Sequence, residues 1–238
     1  DTEIIVVDTD PDHRQDVREI IEKYADQIVP FTWCDDFSAA RNTGIDAASG
    51  DWFLFVDDDE WFINAQPLID FLKSDESDEY QGINYLRRNY SNGIYSGFSD
   101  EWVSRTVRLD GQIRFHGRVH EFMRPFEGKT KMVGALAGHT GYIYRSEEET
   151  VAHSRRNTVL LEQMITDEPR EVRWVSQLMN EYDSIGNRNG QRMMARRGYQ
   201  MMDGAKGDKP ARIRGLFAAG MMRVESQEGN WDEACRIY

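Results

Sequence analysis

The chain of 238 residues is 39% hydrophobic and 30% charged, with a formal charge of −13. That is enough apolar material for a real core, no run approaches the roughly 20 apolar residues that span a bilayer, and the acidic excess disfavours nucleic acid as a partner. The charge is uneven: residues 1–150 hold 15 Lys and Arg against 30 Asp and Glu, residues 151–238 hold 14 against 12. This shift predicts one domain over 1–148 and a second over 149–238. Two distant cysteines, Cys34 and Cys235, fit free thiols in a reducing compartment. No signal-peptide pattern is visible, so the expected location is cytoplasmic.

Glu3 to Asp8 reads as an apolar strand ending in a carboxylate. Beyond it, Val17, Ile20, Ile21 and Tyr24 recur at the spacing of an amphipathic helix and predict one apolar face. A short strand around Ile28 to Phe31 follows. A second helix then opens at Phe37, with Ser38 as its expected N-cap and Gly50 just past its end. Trp52 to Val56 are five consecutive apolar residues, the signature of a strand buried on both faces. They run directly into Asp57-Asp58-Asp59-Glu60. In open α/β sheets ligands bind outside the carboxyl ends of the strands, where both this strand and the one ending at Asp8 deliver acid. So many like charges need a neutralising cation, and carboxylate oxygens suit Mg²⁺ and Mn²⁺. A solvated acidic turn is the bland alternative, and the apolar strand in front argues against it. Alternation of strand and helix gives the α/β class with a mostly parallel sheet flanked by helices.

Residues 64–72 predict a short helix with Leu68, Ile69 and Leu72 inward. Strands are expected over 80–88, 103–109, 113–115, 118–123 and 132–136, with a mobile Gly/Ser/Asn-rich loop at 91–100. This half contains His116-Gly117-Arg118-Val119-His120-Glu121 and Gly138-His139-Thr140-Gly141-Tyr142. After Glu147 the pattern is helical throughout, in pieces of 12 to 18 residues broken by Pro169, Gly186, Gly204, Gly207 and Gly229. Helical hairpins with a period near 34 residues suggest a tetratricopeptide-like array. A plain helical bundle fits the pattern equally well. The methionines gathered here suit an adaptable core.

Three stretches, Ile4-Ile5-Val6-Val7-Asp8-Thr9, Asp36-Phe37-Ser38-Ala39-Ala40-Arg41-Asn42 and Gly50 to Glu60, resemble glycosyltransferase family 2. The similarity is to the branch of lipopolysaccharide-core and peptide glycosyltransferases that carry a Val-His-Glu motif and often a helical-repeat tail. It covers roughly residues 3–145, and the family's first strand, which precedes Glu3 by about one helix, is missing here. The resemblance implies a GT-A fold, a nucleotide-diphosphate sugar as donor with a UDP-sugar first among them, and Mg²⁺ or Mn²⁺. It further implies that Asp59 binds the metal, Asp57 the ribose or the metal, and Asp8 the nucleoside, with Arg41 near the base or diphosphate. Asp58 lies beside them on the donor side, tuning the field or the turn. Where the family continues Asp-x-Gly-Ser-x-Asp, this chain reads Asp8-Thr9-Asp10-Pro11-Asp12, which leaves the nucleotide open.

Inverting transfer needs a group that takes the acceptor's proton. The resemblance points to Glu121 of Val119-His120-Glu121, with His139 as a further metal ligand and His120 as an orienting group. A salt-bridging Glu121 and a turn-capping His139 are the plainer readings. His13, His116 and His153 are read as structural. The acceptor is open among saccharides, lipid-linked saccharides and peptides, and the helical tail suits a protein partner or self-association. Two other classes compete. A sugar-nucleotide pyrophosphorylase wants a Gly-rich basic loop near the N-terminus, which is not visible. A non-catalytic nucleotide-sugar-binding or scaffold protein is disfavoured by the intact Asp57-x-Asp59.

Overall fold

The computed structural model describes residues 2–10, 12, 15–91, 97–141, 143 and 146–237. The chain divides into two compact units, residues 1–117 with 121–145, and residues 118–120 with 146–238.

The first unit opens as the alternation of periods predicts: β1 (Ile5–Asp8), α1 (Gln15–Tyr24), β2 (Gln27–Pro30), α2 (Phe37–Ala47) and β3 (Trp52–Leu54). β1 and β2 pair in parallel, Val6 opposite Ile28. α2 is capped by Asp36, whose Oδ1 accepts the Ala39 N–H at 3.0 Å and the Ser38 hydroxyl at 2.6 Å. The expected cap, Ser38, is thus the first-turn residue that braces the true one. Gly44 brings α2 close to the strands, since a Cβ there would lie 3.3 Å from Val7 and 3.5 Å from Phe53. α1 forms, but its apolar stripe is only partly covered: Val17 and Ile21 are half-buried, whereas Ile20 and Tyr24 are each 59% exposed. Periodicity sets which residues share a face, and says nothing about what lies beneath it.

The rest of the unit comprises β4 (Glu60–Asn64), α3 (Gln66–Leu72), β5 (Gly82–Tyr90), β6 (Phe98–Arg108), β7 (Arg114–His116), β8 (Phe122–Arg124) and β9 (Thr130–His139). Five strands pair in the order β3-β6-β5-β9-β4. Only β5 and β9 run parallel within this sheet; the other three pairs are antiparallel. The expected α/β architecture is present, and its sheet is mixed because β5 and β6 form a hairpin rather than a helix-linked crossover. The expected mobile loop shrinks accordingly: residues 92–96 lie outside the described residues, and Phe98–Asp100 already belong to β6.

The acidic stretch is the link between β3 and β4, at opposite ends of the strand order. Five strands side by side span roughly 19 Å, and the link contains a tight turn, Glu60 N–H to Asp57 O at 3.0 Å. So short a bridge forces the sheet to curl. Among the described residues β3 is an edge strand, paired with β6; Trp52 to Phe55 are half-buried rather than buried on both faces, and Val56, past the strand's end, is 46% exposed. The core under the sheet is Leu68 and Phe71 of α3 against Ile83, Tyr85, Val133, Ala135 and Ala137, each large side chain contributing on the order of 1.5–3 kcal/mol. Ile69, expected inward, is 38% exposed.

The second unit contains α4 (Glu147–Asp167), α5 (Val172–Ser184), α6 (Arg188–Met201), α7 (Asp208–Gln227) and α8 (Trp231–Ile237). Each helix packs chiefly on the next in sequence. Gly186, at φ 71°, permits the reversal between α5 and α6. Gly198 lies where a Cβ would penetrate the Phe217 ring, so α6 and α7 approach closely over a fully buried aromatic. Residues 118–120 pack with these helices: Val119 is buried, and His120 Nε2 meets Glu181 Oε1 at 2.9 Å. Asn157 donates to the same oxygen at 2.9 Å. Burial by itself raises the Glu181 pKa, but hydrogen bonds from His120, Asn157 and Ser154 outweigh it and hold the carboxyl below its ordinary range. Because the folded pKa is depressed, this stabilisation is present above the unfolded glutamate value of about 4.3 and is lost as pH falls through the folded one. In denaturant titrations followed by helical circular dichroism, wild type is expected to exceed Glu181→Gln near neutrality. That gap should close in acid; a gap independent of pH would refute the assignment.

Candidate active site

The four carboxylates after β3 are each directed to a different neighbour. Glu60 turns inward: its side chain is 1% exposed and receives Arg87 Nη1 at 2.9 Å and Arg105 Nη2 at 3.0 Å. Its other oxygen accepts the Asp57 N–H at 3.3 Å, which ties the turn. Asp57 accepts Arg41 Nη1 at 3.0 Å and Arg105 Nη1 at 2.8 Å, one on each oxygen. Asp58 is exposed at the tip. Asp59 Oδ2 lies 3.4 Å from His139 Nε2. The positive charge that the sequence demanded is therefore supplied in part by three arginines, from α2, β5 and β6.

Arg41 is the hinge of this arrangement. Its guanidinium lies 4.0 Å from the centroid of Phe55 and its Nε donates to Glu121 Oε1 at 2.5 Å. Arg105 approaches the same ring at 4.5 Å. The next residue of α2, Asn42, donates to Phe115 O at 2.9 Å and accepts the Phe115 N–H at 2.8 Å. That reciprocal pair pins β7 to α2 and so brings Glu121, the residue of the β7–β8 connection that directly precedes β8, to Arg41. Glu121 does not lie in a strand as expected. It follows His120, whose φ of 52° turns the chain before β8 begins. Burial would raise the Asp57 pKa, but Arg41 and Arg105 outweigh it and hold it down to about 2. Burial would lower the Arg41 pKa, and Glu121 and Asp57 more than reverse this.

The far side of the turn is built by register. Glu60 of β4 stands opposite His139 of β9, so Asp59, one residue earlier, reaches the imidazole. Asn89 donates through Nδ2 to Glu101 at 2.8 Å, and Glu101 is held by Arg87. The amide oxygen of Asn89 therefore faces His139 Nδ1, at 2.7 Å. An oxygen can only accept, so Nδ1 carries a proton and Nε2 is turned towards Asp59. The contact with His139 is the main cause that lowers the Asp59 pKa, against burial. Gly141 borders this pair: a Cβ there would fall on Asp59 Oδ2 and His139 Nε2. An imidazole oriented from behind, a carboxylate and a cradle without a side chain fit a divalent ion with two protein ligands. Among the described residues no group of three or more His, Cys, Asp or Glu is gathered as a metal site. Mg²⁺ is commonly held by one or two carboxylates, with substrate phosphates and water filling the remainder; here an imidazole stands in the place of a second carboxylate.

The structure thus brings Arg41, Asp57 and Glu121 together on one side of the turn, and Asp59 and His139 on the other. Asp8 ends β1, where its side chain accepts the Asp10 N–H at 3.1 Å. His116 contacts Arg124 at 2.6 Å, while His13 and Tyr142 lie outside the described residues. Arg87, Asn89, Glu101 and Arg105 were missed by sequence reasoning. The available signal was the alternation of Arg87 with Asn89 in β5, and of Glu101, Val103 and Arg105 in β6, which places each set on one face of its strand. Both cysteines are exposed free thiols, and no helix among the described residues is long and apolar enough to cross a membrane.

Comparison with known proteins bears on the same half of the chain. The family model for glycosyl transferase family 2 matches residues 1–146. The SPbeta prophage-derived glycosyltransferase SunS of Bacillus subtilis (strain 168) is 30% identical over 146 residues, 60% of this chain and 34% of that protein. Glycosyltransferase SunS of Bacillus phage SPbeta gives the same figures. A TPR repeat-containing protein of Synechococcus elongatus is 33% identical over 123 residues, 51% of this chain and 28% of its own length. The matched stretch spans about a third of these relatives.

Proposed function

The chain belongs to glycosyltransferase family 2, and on that footing we propose that it is an inverting, metal-dependent enzyme moving a sugar from a nucleotide-diphosphate donor to a hydroxyl or other nucleophilic acceptor. The observation that supports this reading is the division of the acidic turn. One side offers a carboxylate, Glu121, steadied through a single oxygen by Arg41. The other offers an oxygen and an imidazole nitrogen side by side, Asp59 and His139.

In this reading Glu121 takes the acceptor's proton on Oε2 as the acceptor attacks the anomeric carbon. The bond from that carbon to the diphosphate oxygen breaks, the electron pair leaves with the diphosphate, and attack from the opposite side inverts the centre. Asp59 and His139 are the residues to hold Mg²⁺ or Mn²⁺, which when bound neutralises the departing diphosphate. Asp8 is assigned to the nucleoside, with Asp58 at the exposed tip facing the donor side. The helical unit is read as two tetratricopeptide-like hairpins, α5/α6 and α7/α8, presenting a surface to a peptide acceptor, a protein partner or a second copy. Exposed thiols support a reducing location such as the cytoplasm.

Isothermal titration with UDP-, GDP- and CMP-sugars, with and without Mn²⁺, tests the core of this. A UDP-sugar is expected to bind with Mn²⁺ and to lose affinity without it. Failure of every nucleotide sugar to bind in both conditions refutes the transferase reading.

A further inference from the structure

We propose that Asp57 is a positioning residue for Glu121, acting through Arg41, rather than a ligand of the metal that Asp59 would hold. The inference rests on the assignment of Glu121 as base and gives Asp57 a role other than the ribose or metal contact that the family resemblance implies.

Both oxygens of Asp57 are already engaged, Oδ1 by Arg41 at 3.0 Å and Oδ2 by Arg105 at 2.8 Å. To ligate a cation, Asp57 would have to seat a divalent charge beside two fixed guanidiniums, which is unfavourable at such range. Asp59, two residues on, faces an imidazole that is oriented from behind by Asn89. The two carboxylates therefore answer to different walls of the site.

Arg41 converts the hold on Asp57 into a geometry for Glu121. A guanidinium is a rigid planar fork, and here its plane is fixed by the Phe55 ring at 4.0 Å. With Nη1 anchored on Asp57, Nε is aimed at Glu121 Oε1 at 2.5 Å. The bond occupies one oxygen of Glu121 and leaves Oε2 as the site for a proton. Arg105 and the buried Glu60 brace the far side of Asp57, so the chain of charges from Glu60 to Glu121 is continuous: Glu60, Arg105, Asp57, Arg41, Glu121.

The test compares Asp57→Asn, Asp59→Asn and Arg41→Lys in the full chain, with two readouts. The first is Mn²⁺ affinity by calorimetry, with Mn²⁺ alone and with UDP present. The second is release of UDP from UDP-glucose with water as acceptor. Asp57→Asn is expected to keep Mn²⁺ and UDP affinity within about twofold and to lose turnover by about 100-fold, the scale of a misplaced catalytic group. Asp59→Asn is expected to lose Mn²⁺ affinity by at least about tenfold. Arg41→Lys keeps the charge beside Asp57 but not the fork, and should share the turnover loss with metal binding intact; it decides the matter if Asp57→Asn does not fold. Loss of Mn²⁺ affinity in Asp57→Asn equal to that in Asp59→Asn overturns the proposal, as does wild-type turnover in Asp57→Asn. A wild type that binds Mn²⁺ and UDP yet releases nothing counts against the transferase reading on which the proposal rests, and the metal comparison still decides whether Asp57 is a ligand.

Discussion

Glu121→Gln is expected to bind nucleotide sugar as wild type does and to lose turnover by about 10²–10⁴-fold, the usual contribution of a positioned general base. The amide keeps the size of the carboxyl and still presents an oxygen to Arg41 Nε, so the local geometry of 2.5 Å has no steric reason to change. What it lacks is the capacity to take a proton. The measurement is steady-state turnover alongside donor affinity in the same preparation. Full activity would remove Glu121 from the chemistry, whereas parallel loss of donor affinity would make it a binding group.

The second large effect is on stability. Glu60→Ala is expected to cost about 3–5 kcal/mol, because it removes the buried carboxylate shared by two guanidiniums whose side chains are each 11% exposed and leaves Arg87 with Glu101 and Arg105 with Asp57 as their remaining ion-pair partners. Calorimetry should show the transition of the first unit lowered by roughly 6–20 °C, at 2–4 °C per kcal/mol for a chain of this size. Glu60→Gln keeps hydrogen-bond acceptance and should fall in between. An unchanged midpoint would mean that Arg87 and Arg105 find other partners, and that the charge chain towards Asp57 is less closely held than the distances imply.

How much of this was legible in the sequence depends on the range of the interaction. The order of strand and helix through β3 was readable because an apolar run and an amphipathic stripe are local patterns. Asp59, His139, Arg41 and Glu121 were nameable as candidates through family resemblance, and their positions are what the structure adds. Arg87, Asn89 and Arg105 were not readable. Their role exists only through the register of β5 against β6 and β9, where Arg87 stands opposite Glu101 and Asn89 beside His139. Nothing in a single sequence states which residue of one strand faces which of another. Val119-His120-Glu121 misled for the opposite reason: its alternation looks like a strand, but a left-handed residue at His120 breaks the pleat. In α1 the spacing named the residues of the stripe but not how far it is covered: Val17 and Ile21 are half-buried, Ile20 and Tyr24 exposed.

The link from β3 to β4 bears on the kinds of change the protein can absorb. Side chains in a strand alternate faces with a period of two, and the pairing of Glu60 with His139 is set by where the chain re-enters the sheet after the turn. Exchanging the side chain of Asp58, at the exposed tip, leaves that re-entry point alone. Deleting its peptide does not: β4 would slide by one, Trp61 would take the place of Glu60 opposite His139, and the arginines would face an indole. For this turn, length is a stricter specification than composition.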